Sequence, residues 1–416
     1  DECGGVGSRI AGVIMTEDSD AVEGVEVGLS GQAEMQMITT DNGQYEFSNL
    51  ESGYDYTVTP ELDLDYLNGV TTFDLVLISK HILGVTPLGS PYKMIAADAN
   101  NSQSISTIDI IKIRKLILNI DTEFENNTSW RFVDAAYEFP DPTNPWTEAF
   151  PEVINFNNLT VEQLDQDFVG VKIGDVNGSV QANFASLDDR TTNGLFAFEL
   201  EDEQLVAGQE YQLDFRAKDM NQIQGYQLTL SFDADKVSYV GMDEQIMTEA
   251  HIGLRYVDQG MITMSWNGET GQLAHLTAED VLFGLTFRAH SSTRWSEVLG
   301  VSSRYTMAEA YNADDQLLEV GLHFNEGPTV VQAFELYQNR PNPFRESTVI
   351  GFYLPEAATA SLNIQDINGR TVKLIRNDFA KGYNEVVLKS SDLPKGMLYY
   401  TLETDEFNAT RKMILS

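Results

Sequence analysis

Cysteine is all but missing: Cys3 is the single one in 416 residues. A lone thiol closes no internal bridge, so it either pairs with something outside this sequence or has no role; scarce cysteine does not by itself make a chain cytosolic. Histidine is nearly as rare. His81, His251, His275, His290 and His323 are scattered with no thiol beside them, which leaves little for imidazole or thiolate chemistry. Cations are outnumbered, 26 Lys and Arg against 64 Asp and Glu, for a formal charge of −38. That balance argues against nucleic acid as a partner, because phosphate binding needs clustered cations, and against an anionic membrane surface. It suits cations such as calcium as ligands. No run approaches the roughly 18 uninterrupted apolar residues of a membrane span, so the chain is not expected to be an integral membrane protein. H-E-x-x-H, G-x-S-x-G and P-loop strings are absent, and the glycines from Gly4 to Gly12 lack the helix of a dinucleotide loop. With 64 acids, chance carboxylate pairs abound and none stands out as a glycosidase couple. No catalytic activity is expected. The chain opens at Asp1 with neither a Met nor a basic-plus-apolar leader, which suggests a processed product or a piece of something longer.

What is present is folded material: 42% apolar and 22% charged residues, enough for about three domains at roughly 150 residues each. Charge divides the chain at one place. Residues 334–416 hold ten basic and ten acidic residues, so the whole −38 resides in residues 1–333, where 16 cations meet 54 anions. Such a step predicts a C-terminal module with a different job, joined through a turn at Asn325-Glu326-Gly327-Pro328. An autonomous module would touch its neighbour over a small, polar interface.

Residues 1–60 read as strand and turn. Ile10, Val13 and Ile14 open one strand, Val25, Val27 and Leu29 alternate in the next, and Asp41-Asn42-Gly43 is a hairpin signal leading into Tyr45-Glu46-Phe47. The string resembles the small β-sandwich repeats called carboxypeptidase regulatory-like or collagen-adhesin B-type (CnaB-like) domains. Some adhesin relatives carry a Lys–Asn cross-link; the first strand here, Arg9 to Met15, has no Lys, so none is expected. A structural spacer is the favoured role.

An internal duplication follows at an offset of 35 residues. Asp63, Asp65, Val70, Thr71, Asp74, Leu75, Ile78 and Ile82 recur as Asp98, Asn100, Ile105, Ser106, Asp109, Ile110, Ile113 and Ile117. Each copy is a 12-residue loop that begins and ends with Asp, then a helix, with Gly84 and Asn119 at the expected helix ends. Calcium loops place oxygen ligands at positions 1, 3, 5, 7 and 12. In the second copy Asp98, Asn100, Ser102, the Ser104 carbonyl and Asp109 fill all five, although Gln103 stands where the turn usually has Gly. In the first copy Asp63, Asp65 and Asp74 are good ligands, but Leu67 takes position 5. Two acidic helix caps without metal are the plainer alternative.

Paired loops of this kind, each followed by one helix, resemble type I dockerin, a module that binds cohesin domains. The resemblance implies recognition through loop positions 10 and 11: Thr72 and Phe73, then Thr107 and Ile108. Downstream, Asp175-Val176-Asn177-Gly178-Ser179 repeats the start of a loop without its closing acid. It is either half a loop, completing the module or lending oxygens to the first site, or a simple turn. Between these lies an aromatic, proline-punctuated stretch with Trp130, Phe132, Tyr137, Phe139, Trp146, Phe150 and Phe156, read as an ordered insertion packing on the helices rather than a sugar platform. The dockerin-like module with this insertion is assigned residues 61–185.

Residues 190–327 alternate again, with at least seven strand-like runs and no clear helix, which predicts a sandwich. Their order, from Gly225-Tyr226-Gln227 through Met261 to Trp266 and Val281 to Phe287, resembles a cohesin domain, with Trp266 more plausible as core than as a sugar face.

The last segment, 334–416, has short alternating strands joined by Pro-Asn-Pro, Asn-Gly and Pro-Lys-Gly turns. Asn339, Pro341, Asn342, Pro343, Phe344, Gly369, Arg370, Leu393, Pro394, Gly396, Tyr400 and Lys412 resemble the type A C-terminal sorting domain of the type IX secretion system of Bacteroidota; Leu398 stands where that family usually has Tyr. The resemblance implies recognition by the outer-membrane shuttle and translocon, a sorting peptidase as partner, and a secreted or outer-membrane-surface location. The expected fold is therefore mainly β: a string of β-sandwich domains with one small α-helical calcium-loop (dockerin-like) module and calcium as cofactor. Two roles fit. One is the C-terminal part of a secreted, cell-surface structural or adhesion protein, with a cohesin–dockerin contact within or between chains. The other is a set of accessory modules from a polysaccharide-degrading enzyme whose catalytic domain lies upstream.

Overall fold

A computed structural model describes residues 8–183, 192–268, 276–325 and 327–416. Cys3, His275 and Glu326 lie outside the described residues. The chain forms two compact units, Asp1–Ile117 with Asp121–Ser186, and Leu118–Ile120 with Leu187–Ser416.

The first unit contains strands β1 (Ser8–Met15), β2 (Glu26–Gly31), β3 (Met35–Ile38), β4 (Gln44–Leu50) and β5 (Tyr56–Glu61). Helices α1 (Thr72–Ile82), α2 (Pro91–Ala97) and α3 (Thr107–Ile117) come next, then β6 (Trp130–Asp134), β7 (Ile154–Phe156) and β8 (Phe168–Lys172). Two sheets, ordered β4-β1-β8-β6 and β3-β2-β5-β7, enclose a core of Ile10, Ile14, Val27, Tyr45, Phe47, Tyr56 and Val58. Both sheets cross the boundary expected at residue 60, because β6 and β7 come from the stretch read as an insertion and β8 from the segment just after it. The reason is that β6 and β8 bury both faces. Trp130, Phe132 and Phe168 point into the sandwich, while Val133, Val171 and Ile173 join Leu75, Ile78, Ile113 and Leu116 in the helical core. Strands buried on both sides lose the period-two alternation that marks a half-exposed strand. Elsewhere in this stretch Tyr137, Phe139 and Phe150 lie half-buried against the helical core.

The Asp41–Gly43 turn joins strands of different sheets rather than closing a hairpin, since β3 pairs with β2 and β4 with β1. Gly43 has φ +69°, and a Cβ there would stand 2.3 Å from the Ile14 carbonyl of β1, so turn and close approach both require glycine.

In the second unit a sandwich is built from β9 (Leu195–Leu200), β10 (Gln204–Leu205), β11 (Glu210–Phe215), β12 (Ile223–Phe232), β13 (Val237–Asp243), β14 (Ile252–Gly253) and β15 (Met261–Asn267). It continues through β16 (Phe283–Ala289), β17 (Thr293–Arg294), β18 (Leu299–Ser302), β19 (Glu309–Asn312), β20 (Leu317–Phe324) and β21 (Thr329–Val331). A large sheet, β14-β15-β12-β19-β20-β21 with β9 parallel to β20, faces the three-stranded sheet β11-β16-β13. Aromatic rings fill the space between: Phe215 stacks on Phe283 at 4.4 Å and Tyr226 on Trp266 at 5.5 Å. Trp266 is thus core, only 2% exposed.

The remaining strands, β22 (Glu335–Leu336), β23 (Ser347–Leu354), β24 (Ala358–Asp366), β25 (Thr371–Phe379), β26 (Gly382–Lys389), β27 (Gly396–Glu403) and β28 (Asn408–Leu415), form sheets β22-β23-β26 and β25-β24-β27-β28. Their separate core holds Phe344, Ile350, Phe352, Leu362, Ile364, Tyr400 and Met413. The connection to the preceding sandwich is not slack. β21 pairs with β20, and the seam is polar: Ser302 donates to Glu335 (2.8 Å), Ser303 to Gln332 (2.6 Å), and Tyr353 and Lys381 both donate to Glu319 (3.0 and 2.8 Å).

Candidate metal loops and sorting module

Residues 98–109 close on themselves between α2 and α3. Asp98 Oδ1 accepts the Ser102 amide (2.8 Å) and Oδ2 the Gln103 amide (2.7 Å); Asn100 Oδ1 also accepts the Ser102 amide (3.0 Å). Asp109 reaches back, accepting the Asn100 amide on Oδ1 (3.2 Å) and both the amide and hydroxyl of Ser106 on Oδ2 (2.9 and 3.0 Å). Ser102 Oγ lies 3.3 Å from the Ser104 carbonyl. All five expected ligand residues are therefore linked by hydrogen bonds within one loop. Gln103 adopts φ +63°, the left-handed turn that a glycine would enter without steric cost. Asp98 and Asp109 are buried, and burial pushes the Asp98 carboxyl upward against the pull of the Ser102 and Gln103 amides. The donors are oxygen only, two of them carboxylates; among the described residues no three His, Cys, Asp or Glu side chains share a point. Such a set fits calcium chemistry and not a soft-metal site.

The first copy differs from expectation. Asp63 and Asp65 are exposed, and Asp63 Oδ1 accepts Tyr66 Oη (2.5 Å) and the Ser129 amide (2.7 Å) instead of facing Asp74. Asp74 is fully buried and is met by the returning segment 175–180. The contacts reproduce the main bonds of the second loop. Asp175 takes the role of Asp98, accepting Ser179 on Oδ1 (3.2 Å) and Val180 on Oδ2 (2.8 Å). Asn177 takes the role of Asn100, accepting Ser179 (2.9 Å) and donating to Asp74 Oδ1 (3.2 Å). Thr71 binds Asp74 Oδ2 through its amide and hydroxyl (2.8 and 3.1 Å), as Ser106 binds Asp109. Ser179 Oγ meets the Gly69 carbonyl (2.9 Å), the counterpart of Ser104. The half-loop left open by the sequence finds its closing acid in Asp74. Burial pushes both Asp74 and Asp175 upward, Asp74 further under the charge of Asp175, while burial pushes the nearby Lys172 ammonium down to about 8.

Of the expected recognition positions, Thr107 and Ile108 are exposed, Ile108 by 54%, and Phe73 is half-buried. Thr72 is fully buried and offers no surface, because the 175–180 segment crosses the start of α1 with Val176 bonded to Asp74 (2.8 Å).

The sorting residues cluster around one end of the last module. Asn339 is buried: its amide donates to Tyr400 Oη (2.8 Å) and its side chain to Thr348 (2.9 Å) and the Pro341 carbonyl (3.1 Å). Asn342 accepts the Ile414 amide (2.9 Å) and reaches the Lys412 carbonyl (3.4 Å), so the exposed Pro341-Asn342-Pro343 turn is sewn to β28. Phe344 is buried beside Leu415, Gly369 turns at φ +78° within the Asp366–Arg370 loop, and Gly396 opens β27 at φ +116°. Leu393 is buried next to exposed Pro394, and the Lys412 side chain points outward.

Three solved structures illustrate the neighbours found by shape. The seventh ScaB type I cohesin from Pseudobacteroides cellulosolvens is 14% identical, spans 34% of this chain and 93% of its own, at a TM-score of 0.24. A type I cohesin–dockerin complex from Clostridium thermocellum, Coh-OlpC-Doc435, is 14% identical over 35% and 99%, at 0.25. A type II cohesin domain from the cellulosome of Acetivibrio cellulolyticus is 9% identical over 33% and 95%, also at 0.25. No curated protein matches the chain. Among the described residues, no helix is long and apolar enough to cross a membrane. Residues 340–416 match the family model of the secretion system C-terminal sorting domain, a non-catalytic signal that implies a secreted or cell-surface protein and contact with its secretion machinery.

Proposed function

We propose that this is a secreted cell-surface protein of structural or adhesive role, exported by the type IX system and stabilised by calcium. The sorting module at 340–416 carries this reading. Asp98, Asn100, Ser102, the Ser104 carbonyl and Asp109 would hold the ion, which would neutralise two buried carboxylates and fix the loop between α2 and α3. Contact between a dockerin-like loop and a cohesin-like sandwich, within or between chains, belongs to the same reading and rests on the sequence resemblance. Export is tested by deleting residues 334–416 and shaving intact cells with protease. The reading expects the shortened protein to be folded and stranded in the periplasm; normal surface display would defeat it.

A further inference from the structure

We propose that the second unit carries a binding site for a carboxylate-bearing polysaccharide, built from Arg255, Arg304 and Arg340 around the stacked rings of Tyr256 and Tyr305. The inference gives the adhesive reading a ligand, and it rests on that reading only for meeting the ligand outside the cell.

The two tyrosine rings lie 3.6 Å apart between centroids and within 3° of parallel. Arg304 Cζ stands 5.4 Å and Arg340 Cζ 5.9 Å from the Tyr305 centroid, and Arg255 Cζ is 5.9 Å from that of Tyr256. The contributors come from three places in the chain. Arg255 and Tyr256 precede β15, Arg304 and Tyr305 follow β18, and Arg340 stands immediately before the Pro341-Asn342-Pro343 turn of the sorting module. Hydrogen bonds hold them there. Arg255 donates to the Asn119 carbonyl (3.4 Å), Arg340 to the Arg304 carbonyl, and Tyr305 Oη to Gln259 (3.2 Å).

What the cluster lacks is acid. Among the described residues none of the three guanidinia forms an ion pair, although Asp and Glu outnumber Lys and Arg by 64 to 26. Other exposed arginines of the same unit have found a carboxylate: Arg288 pairs with Glu210 (2.5 Å) and Arg294 with Asp202 (3.1 Å). Glu335, whose charge Arg304 feels, is instead bound by Ser302 (2.8 Å). Three like charges gathered without a counter-ion favour an anion, and a guanidinium presents its N–H groups in the fork that a carboxylate matches.

The rest of the molecule narrows the choice of anion. A net charge of −38 repels a broad acidic partner, and a protein interface needs about 800 Å² on each side, far more than five side chains offer. A slender chain can lay successive carboxylates on successive guanidinia without meeting the surrounding acids. Arg255 and Arg340 are exposed and the other three residues half-buried, so ring edges and arginine stems offer apolar contact to sugar C–H groups. The rings turn a face to each other, which removes the open platform that a nucleic-acid base would stack on.

The test is titration calorimetry of the full chain with oligogalacturonate at low salt, in chelator so that calcium cannot bridge two carboxylates. Expected is saturable binding that Arg255→Gln and Arg304→Gln each weaken about tenfold, that Arg304→Lys weakens less than Arg304→Gln, and that Arg288→Gln leaves unchanged. Neutral dextran should not bind. Melting curves check the fold, and Arg255→Gln, at an exposed position, serves if Arg304→Gln disturbs it. No binding, or binding that survives both glutamine variants, overturns the site. Equal affinity for an oligothymidylate of the same charge overturns the polysaccharide assignment. Self-association lost in Arg255→Gln, with no oligogalacturonate binding, gives the patch to a second copy and likewise overturns it. Each of these failures leaves export by residues 334–416 standing, because protease shaving tests that separately.

Discussion

The two loops of the first unit reach one hydrogen-bond pattern by different routes. Residues 98–109 do it within a single stretch, so the ends of the loop are tied by the chain itself. Around Asp74 the same pattern is assembled from segments far apart, with Val176 and Asp74 separated by 102 residues. Closing a long loop costs more chain entropy than closing a short one, though the cost grows only slowly with length. The split loop therefore gains more from whatever holds its halves together. It is also a tertiary contact, whereas the contiguous loop is a local one.

Removing calcium should separate them most. At a hundredfold excess over Kd one site contributes about 2.7 kcal/mol, and a unit of this size shifts by about 2–4 °C per kcal/mol, so a chelator should lower the melting transition of the first unit by roughly 5–10 °C or more. The transition of residues 192–416 should stay in place. Calorimetry of the full chain with and without chelator checks this, and an unmoved first transition breaks the comparison at its root.

Gly69→Ala should come next. It strains a left-handed residue and drives a methyl into Val180, for a loss of about 1–3 kcal/mol in denaturant unfolding. Gly84→Ala is the control: φ is +69° but the space around its Cβ is open, so it should cost only about 1 kcal/mol. Equal losses would mean that the close approach at Gly69 has no bearing on the split loop.

The smallest effect concerns what the loops present. Thr72 is buried while Ile108 is exposed, so any self-association through a dockerin-like face should be one-sided. Ile108→Asp should weaken calcium-dependent association of the full chain about tenfold in sedimentation velocity, and Thr72→Ser should leave it unchanged. The reverse order would reject the assignment of that face.

Particular residues show why the sequence was readable in places. Asp98 to Asp109 was legible because ligands, spacing and helix all lie within one window. Asp63 and Asp65 misled because the duplication supplies the right letters at the right offset, while the Asp63 carboxylate serves Ser129 and Tyr66 and Asp65 sits at an exposed position. Asp175-Val176-Asn177-Gly178-Ser179 was visible as a beginning, but nothing local says that its closing acid is Asp74. The mainly β fold followed from alternation at Val27, Leu29, Tyr45 and Phe47, and the helices from the periodic apolar residues at Leu75, Ile78, Ile110 and Ile113. β6 and β8 were hidden because Trp130, Phe132, Val133, Phe168 and Val171 serve two cores at once. The sorting module was the most legible part, since Asn339, Pro341, Asn342 and Phe344 sit in one short run and the turns and strands that carry their partners Tyr400, Lys412 and Ile414 all fall within the same terminal segment.

The seam between β20 and the last module has a mechanical consequence. A flexible tether would let the terminal domain swing, and a pull on it would be spent in straightening loose chain. Here β21 is laddered to β20 through Gly321–Val331, Leu322–Val330 and His323–Thr329, and Glu319 is gripped by both Tyr353 and Lys381. A load applied beyond residue 334 meets this ladder and the Glu319 contacts, which belong to the same sheet as the parallel pairing of β9 with β20. The terminal module is a handle fixed to its cargo: it holds one heading, and whatever grips it also steers the sandwich behind it.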